Sequence, residues 1–362
     1  MLIKFTVENF LSFMKSASLD LEAGSIREFP KNVFQTGLGT LDTKLLRNVN
    51  LFGGNSSGKS NFFKAFSTMR YLVLNSFNEG GTTGLPVFPF LLNQTTENKP
   101  TKFDVAFLIG NVNYKYGFSY DNDRIVTEYL SSIVKRKEEN IFVRHELDFN
   151  FERQLGQQNK QEIKLLQKLI RPQTLFLSIL ARFDIDFAKD IMSWFVKSRL
   201  FNDEHIERNV DFTASLIRNA DYRELIIDIL GQSDLGFSSI KEELSEKIEK
   251  QRRNESLLNA LYEEELGNFK VKTKHTKLNS NFEPIGTLYF DLMENESAGA
   301  QKFFSMLGPI AKALVDGSLI WIDEVDSRLH ALLVQLIVSI VNSPKYNKKG
   351  CQAIFSTHNT SI

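Results

Sequence analysis

Cysteine is almost missing from this chain of 362 residues: Cys351 is the sole one. A lone thiol excludes an internal disulfide framework and points to a reducing compartment, the cytoplasm. Its place in the apolar run Cys351-Gln352-Ala353-Ile354-Phe355 predicts a buried, inert side chain. No stretch approaches the ~18 uninterrupted apolar residues of a membrane helix, so no membrane span is expected. The opening Met1-Leu2-Ile3-Lys4-Phe5-Thr6-Val7-Glu8 alternates like a strand and lacks a signal-peptide core and cleavage site. Net charge is also lacking, because 44 basic residues face 44 acidic ones. That excludes a chain-wide basic footprint for nucleic acid, although a local patch survives such cancellation. No internal repeat or low-complexity tract is visible.

What is present is an ordinary globular composition, 42% hydrophobic and 24% charged, with 31 Phe to fill a core. The length allows two domains, or one domain carrying a large insertion. From residue 1 to about 150 the pattern is mostly strands and turns. Phe103–Ile109 and Tyr114–Tyr120 read as strands joined through Gly110-Asn111, and Glu128–Val134 as another. Residues 151–265 shift to Gln, Glu, Lys, Arg and Leu with helical periodicity, as in Ile163-Leu165-Leu166-Leu169-Ile170 and the mixed-charge stretch Ile240–Glu265. The latter reads as a solvated helix face in preference to a nucleic-acid contact. Strand patterns return from 266, at Phe269–Lys274 and Thr287–Leu292.

Within the first segment, Gly53-Gly54-Asn55-Ser56-Ser57-Gly58-Lys59-Ser60 follows the apolar run Val49–Phe52. This is the phosphate-loop pattern GxxxxGK[ST] at a strand-to-helix junction. Gly53 and Gly58 let the backbone curl so that successive N–H groups face phosphate oxygens. Lys59 supplies a point charge for the β- and γ-phosphates, and Ser60 a hydroxyl for Mg²⁺. The helix that follows aims its positive end at the anion. Phe62, Phe63, Phe66, Met69, Leu72 and Val73 recur at the spacing of such a helix.

Far downstream, Leu319-Ile320-Trp321-Ile322 is an apolar strand ending in Asp323-Glu324. Open α/β sheets place their chemistry at such carboxyl ends. In a P-loop ATPase, Asp323 would hold Mg²⁺ and Glu324 would orient the attacking water. Glu296-Ser297-Ala298-Gly299-Ala300-Gln301 opens a helix, with Ser297 as its N-cap and a second phosphate-facing helix end. Val325-Asp326-Ser327-Arg328-Leu329-His330 follows Glu324, and Ala353–Thr357 is a further strand ending in His358. Thr101-Lys102-Phe103-Asp104 fits the loose guanine pattern [NT]KxD, but reads as entry to a strand, so ATP is preferred to GTP.

This ordered set resembles the ATP-binding-cassette ATPases, in the soluble branch shared with SMC and RecF-like proteins. The resemblance implies a signature motif at Ser297 and Gly299, a D-loop at Asp326 and a switch histidine at His358. Glu8-Asn9-Phe10-Leu11-Ser12-Phe13, the loop through Asn61, Glu296–Phe304, Gln173-Thr174-Leu175-Phe176-Leu177-Ser178 and Trp194-Phe195 narrow it further. They look like the RloA/AbiL-type abortive-infection, anti-phage AAA-family ATPases. Two positions depart from the pattern. Leu11 stands where SMC-like relatives often carry a basic residue, and Gln94, the nearest Q-loop candidate, reads equally well as a surface-turn residue.

The implied fold is an α/β P-loop ATPase head of ABC/SMC type, a mixed sheet plus a β-rich N-terminal part, interrupted by a helical insertion. Its parts would be 1–150, the insertion 151–265, and 266–362, with a cassette core expected to continue past residue 362. The resemblance implies ATP and Mg²⁺ bound by Gly53, Asn55, Gly58, Lys59, Ser60 and Asn61, with Ser60 and Asp323 on the metal. Glu324, His358 and Lys59 would serve hydrolysis, and Ser297, Gly299 and Asp326 would reach the nucleotide of a second copy. The expected partners are a second subunit across an ATP sandwich and a separately encoded effector; nucleic acid stays open. Alternatives are a RecF/SMC-like DNA-clamping ATPase, or the ATPase part of an OLD-type nuclease.

Overall fold

The computed structural model describes residues 1–26, 28–35, 44–77, 84–134, 137–151, 163, 165–237, 239–244 and 269–359. The chain divides into two compact units, Met1–Arg47 with Ser56–Ser198, and Asn48–Asn55 with Arg199–Ile362. Among the described residues, no helix is long and apolar enough to cross a membrane.

The first unit is built on a seven-stranded antiparallel sheet. Its strands are β1 (Leu2–Glu8), β2 (Ala17–Asp20), β6 (Thr101–Ile109), β7 (Val112–Tyr120), β8 (Ile125–Val134), β9 (Lys137–His145) and β10 (Asp148–Asn150), in the order β10-β9-β8-β7-β6-β1-β2. A small pair, β3 (Val33–Gln35) and β4 (Lys44–Leu46), stands beside it in the chain. Alternation explains the main sheet: Phe103, Val105 and Phe107 are buried along β6, and Tyr116, Phe118 and Tyr120 along β7. The three expected strands are present, and Thr101-Lys102-Phe103-Asp104 is the start of β6. Helix α1 (Lys59–Asn75) buries Phe63, Phe66, Met69, Leu72 and Val73 of the six periodic positions, while Phe62 is half-buried.

Gln173–Ser178 fastens this unit internally. Helices α2 (Phe176–Arg182) and α3 (Asp186–Lys197) follow it. Ser178 Oγ donates to the Val73 carbonyl at 2.6 Å, and Thr174 Oγ1 donates to the Ser76 carbonyl at 3.3 Å. Glu128, fully buried on β8, accepts from the N–H groups of Phe176 (2.7 Å) and Leu177 (3.0 Å) at the start of α2. It also accepts from Tyr116 Oη at 3.0 Å and Arg144 Nη1 at 3.2 Å. Trp194 stacks on Phe107 with ring centroids 4.5 Å apart.

The second unit carries a four-stranded parallel sheet of β5 (Asn48–Phe52), β11 (Arg199–Phe201), β15 (Leu319–Ile322) and β16 (Gln352–Thr357), ordered β11-β15-β16-β5. Burial is complete along β15 and β16, as befits a parallel sheet covered on both faces. Register pairs Phe201 with Ile322, Ile322 with Phe355, and Thr357 with Phe52, so the four carboxyl ends lie along one edge. An antiparallel sheet, β12 (Ser239–Leu244), β13 (Phe269–Leu278) and β14 (Pro284–Asp291), adds to this unit. Helices α4 (Ile206–Ile217), α5 (Ala220–Gly231), the single turn α6 (Leu292–Asn295), α7 (Ala298–Asp316) and α8 (Ala331–Asn342) complete it.

The expected insertion 151–265 thus contributes α2 to α5, and also β11, which joins the parallel sheet. Ile240–Leu244, expected as the start of a charged helix, is strand β12. Cross-strand pairing with β13 overrides the weak local preference of a mixed-charge segment. The rest of that stretch, 245–265, lies outside the described residues. Ile163, Leu165 and Leu166 are helical, running into a 3₁₀ turn at Gln167–Leu169.

Helix α7 holds Pro309 in its interior, which removes one N–H from the helical ladder. The Ser305 carbonyl freed by it accepts from Thr213 Oγ1 of α4 at 3.3 Å, and that hydroxyl accepts from the Gly308 N–H at 3.0 Å. Gly308 is required for this approach, since a Cβ there would lie 2.8 Å from the Thr213 Cα.

One carboxylate of α4 strains the second unit. Burial, aided by nearby Glu207, raises Asp211 from 3.8 to about 6, against a 3.2 Å hydrogen bond from the Phe269 N–H. A raised carboxyl contributes its stability below pH ~3.8 and loses it as pH rises through about 6. Asp211→Asn keeps the acceptor and removes the charge. It is expected to gain roughly 1 kcal/mol near neutral pH, after allowance for solvent screening of a half-buried group. Thermal melts at about pH 7.5 and pH 4 should show the gain at the first and none at the second.

Candidate nucleotide site

The parallel sheet of the second unit presents its chemistry along the carboxyl edge. Gly53, Gly54 and Asn55 continue from β5, Asp323 and Glu324 from β15, His358 from β16, and Asn202-Asp203 from β11. Asp323 Oδ1 accepts from the Ser356 hydroxyl, and the same hydroxyl oxygen accepts from the Glu324 N–H at 2.8 Å. The Asp323 N–H is held by the Phe201 carbonyl at 2.9 Å, and the Val325 N–H by the Ser356 carbonyl at 3.0 Å. Glu324 is exposed and sits at φ 50°, in the left-handed region that costs a non-glycine residue ~1–2 kcal/mol.

Asp326 closes the adjacent turn. Its Oδ2 accepts from the N–H groups of His358 and Asn359, each at 3.1 Å. Its Oδ1 is buried and without a hydrogen-bond partner among the described residues. Asp323 with the Glu324 N–H, through Ser356, and Asp326 with the His358 N–H therefore form two neighbouring hydrogen-bonded sets at the carboxyl edge of the sheet.

The expected N-cap at Ser297 is present: its Oγ accepts from the Ala300 N–H at 3.2 Å. No acidic side chain occupies the first turn of α7, so its positive end is not neutralised from within. Gly299 abuts the turn after Asp326, where a Cβ would lie 2.7 Å from the Arg328 carbonyl oxygen. Glu296 is tied to the antiparallel sheet, accepting from Thr273 Oγ1 at 2.5 Å and bonding His275 Nε2 at 2.7 Å.

In the first unit, α1 begins at Lys59 and Ser60 behind Gly58, whose φ is 98°. No side chain caps this helix and its first turn holds no acidic residue, which suits an anion at its N-terminus. The Glu8–Phe13 segment lies against this start. Ser12 Oγ accepts from Asn61 Nδ2 at 2.8 Å, and Phe13 meets Phe62 with centroids 4.5 Å apart. A Cβ on Gly58 would lie 2.9 Å from Ser12 Oγ, so glycine is demanded by space as well as by φ. Asn9, buried at φ 51°, bonds the carbonyls of Thr96 and Lys99 and accepts from the Phe90 N–H. That fixes the loop containing Gln94, which is an exposed turn residue.

Three participants had no sequence signal of their own. Ser356 reads as one more strand residue. Lys302 sits beside the apolar stripe of α7, where a lysine reads as solvated, yet its side chain is fully buried. Its Nζ donates to the Glu324 carbonyl at 2.7 Å and pairs with Asp203 Oδ1 at 2.8 Å. Asp203 follows a strand too short to be read from pattern alone.

Residues 50–362 match the family model described as "AAA domain, putative AbiEii toxin, Type IV TA system". Among curated proteins, none matches the chain. The match covers both halves of the motif set, from Gly53 to His358. The chain belongs to this AAA-domain family, and so to the P-loop NTPases of ABC/SMC-like type.

Proposed function

We propose that this chain is an ATP hydrolase that works as a head-to-tail dimer and controls a separately encoded effector in bacterial anti-phage defence. The observation that carries the reading is the cluster of Asp323, Glu324, Asp326 and His358 on one sheet edge. A lone phosphate loop would account for binding; an Asp323 carboxylate braced by Ser356, beside a Glu324 fixed through its backbone, supports hydrolysis. The family's link to toxin–antitoxin systems supports a defence role.

Lys59 and the N–H groups of Gly53 to Gly58 would bind the triphosphate, with Asn55 and Asn61 beside them. The donor chemistry suits a magnesium ion: Ser60 would offer a hydroxyl, and Asp323 a carboxylate, one oxygen of which accepts from Ser356. Mg²⁺ held there would offset charge on the phosphates. Glu324 would orient the attacking water, and His358 would sense the γ-phosphate.

The dimer is supported by what one copy leaves unsatisfied. Among the described residues, the buried Asp326 Oδ1 lacks a donor, and the first turn of α7 beyond Ser297 holds no acidic side chain. A second copy's nucleotide would meet that helix end. Closing the sandwich would exclude water from the reacting phosphate. Light scattering with and without ATP–Mg²⁺, coupled to phosphate release, tests this. A dimer that forms with ATP and decays with hydrolysis is expected; a monomer at saturating ATP–Mg²⁺ removes the model.

Gly299→Ala probes the signature end of the site. The added methyl would press on the Arg328 carbonyl, a backbone atom that has little freedom to yield. Turnover should fall at least about tenfold through displacement of the Asp326 turn. Overpacking should cost about 1–3 kcal/mol of stability. Steady-state kinetics and a thermal melt read both; wild-type turnover would discard the contact as a functional one.

A further inference from the structure

Glu324 is held by its backbone from two directions. Its N–H reaches the Ser356 hydroxyl on β16, and its carbonyl takes the Lys302 ammonium from α7 as well as the Ser327 N–H at 3.0 Å. Lys302 is fully buried, and burial lowers its pKa while Asp203 pulls it back up. Asp203 in turn accepts from Ser327 Oγ at 3.0 Å, so the same carboxylate braces the segment just beyond Glu324. An ammonium taken out of water is costly, and an apolar residue in its place would spare that cost. Retaining it at this position needs another reason.

The reason lies in the conformation of Glu324. A left-handed glutamate relaxes unless its surroundings over-determine it. Lys302 adds a charged donor to the Ser327 N–H already on the Glu324 carbonyl, and does so from the helix whose N-terminus carries Ser297 and Gly299. We propose that Lys302, seated by Asp203, is a positioning residue for hydrolysis: it holds Glu324 in the left-handed conformation and makes that conformation depend on where the signature helix stands. A second copy's nucleotide bound at the α7 N-terminus would thereby set the aim of the catalytic carboxylate. On this proposal, binding of nucleotide at the phosphate loop should be unaffected by loss of the pair. The inference rests on the reading of Glu324 as the residue that orients water.

The test compares Lys302→Met, Asp203→Asn and Glu324→Gln in the full chain, with kcat, KM and the Kd for ATPγS–Mg²⁺ measured for each. Lys302→Met should lower kcat about 100-fold, the scale of a misaimed catalytic group, with KM and Kd within about threefold of wild type. Added to Glu324→Gln, it should lower kcat no further, because the two act as one unit. Should Lys302→Met fail to fold in a thermal melt, Asp203→Asn decides. That variant keeps the lysine and should lower kcat about tenfold at unchanged Kd. Wild-type kcat in the folded variants, or a full additional loss on top of Glu324→Gln, overturns the proposal. If Glu324→Gln itself hydrolyses at the wild-type rate, the reading of Glu324 is wrong whatever Lys302 does.

Discussion

Glu324→Gln is expected to lower ATP turnover by about 10³-fold, within the range that a general base contributes, while nucleotide affinity stays unchanged. The structure makes this a clean substitution. All three hydrogen bonds that fix Glu324 are made through its backbone, the N–H to Ser356 Oγ and the carbonyl from Lys302 Nζ and the Ser327 N–H. Glutamine keeps them, keeps the side-chain length, and meets the same penalty at φ 50°. What disappears is the negative charge that would draw a proton from the attacking water. The variant should therefore load ATP–Mg²⁺, close, and remain closed, so that the dimer accumulates in light scattering. A variant within about threefold of wild-type kcat would move the water-orienting role elsewhere, since general-base loss costs orders of magnitude. His358 is the next place to look. Its N–H is bonded to Asp326, which keeps the end of β16 close to the catalytic turn.

Part of this arrangement could be read directly from residue order. The phosphate loop follows β5 and precedes α1 because an apolar run, glycines and an amphipathic stretch each carry their own local signature. The same holds for β15 ending in Asp323-Glu324 and for Ser297 as a cap. The buried polar network around them was not legible. Ser356, Lys302 and Asp203 come from three distant stretches, and a hydrogen bond between such stretches leaves no period in either. Lys302 misleads because charge predicts solvent, and only a partner can reverse that. Strand β12 was read as helix because mixed charge on a short segment fits either, and pairing with β13 decides. Likewise β11 has three residues, too few for alternation to show, yet it delivers Asp203 to the site.

The largest effect on stability should come from Arg144→Met in the first unit. Arg144 and Glu128 are both fully buried, a pairing that sequence shows only as alternating strands. The guanidinium does more than neutralise Glu128. It donates to the carbonyls of Thr174 at 2.6 Å, Glu146 at 2.5 Å and Pro172 at 3.4 Å, and its head group lies 5.6 Å from the Phe149 ring centroid. Methionine fills much of the volume but leaves a carboxylate in the core with no counter-charge, and takes a donor from the Thr174 and Glu146 carbonyls, while Pro172 keeps the Ile125 N–H. The loss should be about 3–5 kcal/mol, the cost of breaking a buried pair from one side. Glu128 retains Tyr116, whose proton is secured because burial and the neighbouring Glu128 push the phenol well above its ordinary value. It also retains two N–H groups of α2, so the unit should still fold in the cold. Pairing the change with Glu128→Gln removes the stranded charge while keeping an acceptor oxygen for Tyr116 and the Leu177 N–H, at the loss of the bond from the Phe176 N–H. The double variant should therefore recover about 2 kcal/mol relative to Arg144→Met alone. Urea unfolding of the single and double variants reads both numbers. A single-variant loss below about 1 kcal/mol would mean that the pair does not hold the unit together.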